Sequence, residues 1–177
     1  MRTTPKYKSK VVFFDTDKQI VIDSSEVERY RNKARLRLPE NITRFDSQHE
    51  FKVYLELCRI YGADRIVRQY PIELIPPGQC YPKGKTWKVD FAIKDADKRE
   101  ALTTLVEAKG ALMPEFISTL AHLEVNEPDA FEDLVVVFSR SIPTDNKVIK
   151  SLLNKTYAPQ FYTLKELEQS THEISHL

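Results

Sequence analysis

Residues 86–110 read TWKVDFAIKDADKREALTTLVEAKG, and the rest of the chain is organised around them. Two β-rich runs, Thr86 to Ile93 and Leu102 to Lys109, are separated by the polar turn Asp95-Ala96-Asp97-Lys98, so they read as two successive strands. The first carries Asp90 between Val89 and Phe91, and the second ends in Glu107-Ala108-Lys109 just before Gly110. If the strands pair through the turn, Asp90 approaches Glu107, and Lys109 projects to the same face as Glu107. Two converging carboxylates form a hard-oxygen site suited to Mg²⁺, with the remaining positions left to water and phosphate oxygens. Such an ion activates water and stabilises the charge of an attacked phosphodiester, and Lys109 would orient the attacking water and offset charge in the transition state.

Spacing alone is weak, because acid-x-Lys occurs at Glu50-Phe51-Lys52, at Glu107-Ala108-Lys109 and at Asp145-Asn146-Lys147. The first falls in a helix and the third in a loop. Only the second ends an apolar strand whose hairpin partner has its own embedded acid. The competing reading is a surface-facing strand on which Asp90, Glu107 and Lys109 are ordinary solvated charges.

Upstream, Ser47-Gln48-His49-Glu50 is a capping box that starts a helix, with Phe51, Tyr54, Leu55, Cys58 and Tyr61 recurring on one face and Gly62 ending it. Arg65 to Ile75 reads as a strand stopped by Pro76-Pro77-Gly78. Downstream, a helix led by Pro114 buries Phe116, Leu120 and Leu123, the apolar run Leu134 to Phe138 is a strand, and Thr163 to Gln169 is a last helix. The core order is α-β-β-β-α-β, an α/β fold with a mixed central sheet flanked by helices.

The N-terminal part differs in character. Lys10 to Phe14 and Gln19 to Ile22 read as a hairpin around Asp15-Thr16-Asp17-Lys18. In the stretch that follows, Arg29, Arg31, Lys33, Arg35 and Arg37 alternate with uncharged residues, which is the period of a strand with one cationic face; a helix capped at Ser25 competes for the first half. Residues 1–44 hold eleven Lys/Arg against six Asp/Glu, whereas 45–177 hold sixteen against twenty, so a net charge of +1 conceals a basic N-terminal end. We therefore divide the chain into a basic β-rich extension, 1–44, and a core, 45–177.

At 177 residues, with 41% hydrophobic and 30% charged residues, the chain suits one folded domain with an appendage rather than a disordered one. No apolar run approaches the ~18 residues of a spanning helix, and no secretory signal is read, so a cytoplasmic location without membrane association is expected. Cys58 and Cys80 have neither the spacing of a zinc site nor the density of a disulfide framework. With 4 Gly there is no phosphate-cradling loop.

Together these segments resemble the PD-(D/E)XK nuclease superfamily over about residues 44–141. The resemblance rests on the helix start Phe45-Asp46-Ser47-Gln48-His49-Glu50, the strand around Gln69-Tyr70-Pro71, Val89-Asp90-Phe91, Val106-Glu107-Ala108-Lys109-Gly110 and the strand ending Val137-Phe138-Ser139. It looks most like phage junction-resolving endonucleases, small intron-encoded homing endonucleases and the end-cleaving transposase subunit of Tn7-like elements. Val89 stands where the name-giving proline would be. The resemblance implies a restriction-endonuclease-like core and a Mg²⁺-dependent (or Mn²⁺-dependent) DNA endonuclease. It makes Asp90 and Glu107 metal ligands with Ala108 beside them, Lys109 the catalytic lysine and Glu50 a first-helix acid that reaches the metal.

A site-specific enzyme of homing or restriction type is the first expectation. A structure-specific Holliday-junction resolvase or a catalytically inactive DNA-binding module of the same fold is the alternative. The expected partner is double-stranded DNA, held by Arg29, Arg31, Lys33, Arg35, Arg37, Lys83 and Lys85. A homodimer or higher assembly is expected too, because cutting both strands takes two sites or two successive nicks. Each remaining candidate has a plainer reading. Glu50 is equally a capping residue; Gln69 either orients a loop at the site or, more plainly, is an exposed strand residue; His49 and His122 are isolated; Trp87, next to Lys88 and after Lys83 and Lys85, either contacts nucleic acid or, more plainly, belongs to a core; and Cys58 lies on the apolar face of its helix.

Overall fold

The computed structural model describes residues 10–23, 25–26, 38–96 and 101–170. The alternating basic positions Arg29, Arg31, Lys33, Arg35 and Arg37 lie outside the described residues, as do Asp97 and Lys98 of the turn. The chain forms two compact units, Met1–Phe51 and Lys52–Leu177.

In the first unit, β1 (Val12–Asp15) pairs antiparallel with both β2 (Ile20–Val21) and β3 (Ile42–Phe45), giving the order β2-β1-β3. The expected hairpin is present. Its turn is held by the Asp15 carboxylate, whose Oδ1 accepts the N–H groups of Asp17 and Lys18 at 3.1 and 3.0 Å. The strand β3 has no signature in residue type, since Ile-Thr-Arg-Phe is too short to show a period. Phe45 and Phe51 are buried, and the Phe51 ring lies 5.1 Å from Phe14 and 5.2 Å from Phe45. That aromatic cluster carries the first unit past residue 44 into the opening turn of α1 (Gln48–Tyr61).

The second unit holds the rest of α1, then β4 (Ile66–Ile75), β5 (Lys85–Lys94), β6 (Leu102–Lys109), α2 (Pro114–Asn126), α3 (Pro128–Glu132), β7 (Leu134–Phe138), α4 (Lys147–Leu152), β8 (Gln160–Thr163) and α5 (Leu164–Gln169). The expected α-β-β-β-α-β succession is therefore present, and α3, α4 and β8 add to it. The five strands form one mixed sheet, β4-β5-β6-β7-β8, antiparallel through β6 and parallel from β6 to β8. All five residues of β7 are buried, which is why it reads as an unbroken apolar run.

Helices cover both faces of this sheet. Phe91 stacks on Tyr54 of α1 at 6.1 Å, while its neighbour Ala92 packs in the cluster that holds Phe116, Leu120 and Leu123 of α2. Phe51, Tyr54 and Tyr61 of the expected face of α1 are buried and Cys58 is half-buried, but Leu55 is not. Val53 and Leu57 are fully buried, whereas Leu55 is largely exposed, because the helix turns a stripe centred on Tyr54 and Leu57 inward. Gly62 ends α1 at φ +86°, a conformation that suits glycine. No helix among the described residues is long and apolar enough to cross a membrane.

A candidate metal and catalytic centre

Antiparallel pairing of β5 with β6 runs from Lys94 opposite Leu102 as far as Phe91 opposite Val106, and there it stops. Beyond that point side chains take over the ladder. Glu107 Oε2 accepts the main-chain N–H of Asp90 at 3.1 Å, and Asp90 Oδ2 accepts the N–H of Ala108 at 3.0 Å. The two carboxylates thus satisfy the backbone donors released where the strands part. Lys109 Nζ bonds Glu107 Oε1 and lies 4.6 Å from the centre of the Phe116 ring, so one ammonium is held between a carboxylate and an aromatic face. These three side chains come together as their spacing predicts.

Their surroundings exclude the solvated-charge reading. Glu107 is 3% exposed, and Asp90 and Lys109 are half-buried. Burial, and then the neighbouring Glu107 charge, push the Asp90 carboxyl up to about 7, against the opposing pull of the Ala108 N–H, the Lys109 ammonium and the Gln69 amide. The Glu107 charge that disfavours ionisation of Asp90 is the kind of repulsion that a hard divalent cation relieves. Ala108 fits as a ligand through its main chain. Its N–H points at Asp90, and in a strand the carbonyl of the same residue lies on the same edge, here released from the β5 ladder. Among the described residues no three His, Cys, Asp or Glu side chains converge as a metal-holding group. Beside Gly110 there is open space, since a Cβ there would meet nothing within 4 Å.

Gln69 combines its two sequence readings, an exposed strand residue and a residue that orients part of the site. It is exposed, as expected of an outward strand residue, yet its Nε2 donates to Asp90 Oδ1 at 3.2 Å. Trp87 is a core residue, its ring 6.4 Å from Phe116. Cys58 is half-buried, and burial raises its thiol pKa. Glu50 belongs to the first unit and has the capping geometry. Its N–H donates to Ser47 Oγ at 2.9 Å, and its Oε2 accepts from Asp46 N–H at 2.8 Å, one residue earlier than the usual box. Its carboxylate is buried at 5% exposure. Lys83 is exposed in the loop between β4 and β5, and Lys85 opens β5, ~17 Å along the strand from Asp90 at ~3.3 Å per residue. His49 and His122 are partly buried.

Comparison with protein-family models, with curated proteins and with solved structures finds no match to this chain.

Proposed function

We propose that this chain is a Mg²⁺-dependent endonuclease of the PD-(D/E)XK type, hydrolysing phosphodiester bonds of double-stranded DNA at specific sites. The observation that carries the reading is the pairing of a desolvated Asp90 with Glu107 where β5 and β6 part, with Lys109 locked onto the second carboxylate. A purely structural ion pair would match one acid to one base. Here two acids and the Lys109 ammonium meet in a half-buried place at a sheet end, and the Glu107 charge adds to burial in raising the Asp90 carboxyl.

Asp90, Glu107 and the Ala108 carbonyl would hold the ion, which when bound lowers the pKa of water and neutralises charge on the attacked phosphate. The chain's own contribution is positional. Glu107 anchors the Lys109 ammonium, and the Phe116 ring limits where it can move. From that position Lys109 orients the incoming water and offsets the charge that builds on the non-bridging oxygens. The open space beside Gly110 leaves room for a phosphate. Cleavage of both strands then takes either a second copy of the chain, each copy cutting one strand, or two successive nicks by one site.

The test is plasmid nicking with Mg²⁺ and with excess chelator, using the wild type, Lys109→Ala and Glu107→Ala. Nicking should require Mg²⁺ and fall at least ~100-fold in each variant, while Glu107→Ala still binds DNA. Undiminished wild-type nicking in chelator would sink the proposal.

A further inference from the structure

Besides the register shift between Glu73 and Ile75, strand β4 departs from regular geometry at Gln69. Gln69 has φ +51°, a left-handed conformation that costs a non-glycine residue ~1 kcal/mol or more and is rare inside a strand. Arg68 pairs with Phe91 and Tyr70 with Val89, which places Gln69 opposite Asp90. The break shows in the packing of both strands. Val67 and Tyr70, three residues apart, pack against the same core cluster, and so do their partners Ala92 and Val89. In a regular strand, residues three apart point to opposite faces. The pleat therefore slips by one residue in both strands at the Gln69–Asp90 position, and there the Gln69 amide reaches Asp90 Oδ1.

We propose that Gln69 is a positioning residue for Asp90: its left-handed backbone breaks the pleat opposite Asp90, and its amide holds Oδ1 so that Oδ2 stays on the Ala108 N–H and the carboxylate faces Glu107. Strained backbone persists where the surroundings over-determine it, and here the strain lies at the carboxylate pair. The assignment rests on the proposed metal site for its purpose but not for its geometry. Asp90 is bonded on one side by a strand that carries no metal ligand and on the other by the strand that carries Glu107. Gln69 does not touch substrate, and it acts through Asp90.

Gln69→Gly separates backbone from amide, because glycine accepts φ +51° without strain and presents no donor. Gln69→Asn also tolerates the left-handed region, but its shorter side chain falls short of Asp90. Both variants should fold, which thermal unfolding checks. Two readouts follow. In metal-free protein, the amide resonance of Ala108, two strands away, should move further than those of Thr104 and Leu105 on its own strand. Mn²⁺ binding measured by calorimetry, and nicking, should each weaken ~10-fold or more, the usual cost of losing a side chain that orients a metal ligand. An unmoved Ala108 amide, or unchanged Mn²⁺ affinity in a folded Gly variant, overturns the assignment. If the wild type neither binds Mn²⁺ nor nicks DNA, the functional reading fails, and the Ala108 resonance alone decides the role of Gln69.

Discussion

Replacing Asp90 by Asn should make the metal-free protein more stable at alkaline pH, and the gain should vanish on acidification. The Asp90 carboxyl is pushed from its ordinary 3.8 up to about 7, first by burial and then by the Glu107 charge. Between those values the native state holds a proton that the unfolded chain has released, so stability falls as pH rises through the window. Below about 4 both states are protonated and nothing is lost; above about 7 the full penalty applies. Three pKa units correspond to ~4 kcal/mol at the ceiling. Because part of the Asp90 shift comes from the Glu107 charge, and because an amide replaces two acceptor oxygens by one, the realised gain should be ~1–3 kcal/mol. The oxygen of the new amide can keep the Ala108 N–H, while its NH₂ then faces the Gln69 amide, which turns its oxygen round to accept. Urea unfolding in chelator from pH 4.5 to 8 measures this. The stability difference between the Asp90→Asn variant and the wild type should widen steadily in favour of the variant, and millimolar Mg²⁺ should stabilise only the wild type. A difference that stays flat across this range would show that Asp90 is not held as a desolvated partner of Glu107, and the physical case for a cation there would go with it.

Two further outcomes follow. Glu50→Gln separates capping from catalysis: a cap keeps its bonds to Ser47 and Asp46 and leaves stability within ~0.5 kcal/mol and nicking unchanged, whereas an acid linked to the metal loses nicking by orders of magnitude at equal stability. Gly84→Ala places a Cβ 2.6 Å from the Ile75 carbonyl at φ +66°, so chemical denaturation should show a loss of ~1–3 kcal/mol, and a neutral result would mean that the loop after β4 shifts freely.

The elements that could be read from residue type are those with one buried face or a distinctive end. The helix at 114–126 shows its buried Phe116, Leu120 and Leu123 at helical spacing behind a leading proline, and α1 shows its capping box and closing glycine. Leu55 misleads because Phe51 and Leu55 are four apart, a spacing that fits the stripe in sequence but lies at its flank in space. The strands β3 and β8 have four residues each, and α3 and α4 five and six, too few for a period to rise above chance.

The candidate centre divides in the same way, and the division explains why, for Gln69, the exposed-strand reading is the plainer one in sequence. An acid inside an apolar run, and an acid-x-Lys at a strand end, stand out because charge is costly there. A glutamine in a half-exposed strand costs nothing and signals nothing. The slip of the pleat is hidden as well, since Val89, Phe91, Ala92 and Ile93 are all fully buried and leave no alternation to interrupt. A strand covered on both faces can change phase without altering its composition. The backbone at Gln69, the shared packing of Val67 and Tyr70, and the bond from the Gln69 amide to Asp90 reveal the change, so the test of that residue must remove the amide and spare the backbone.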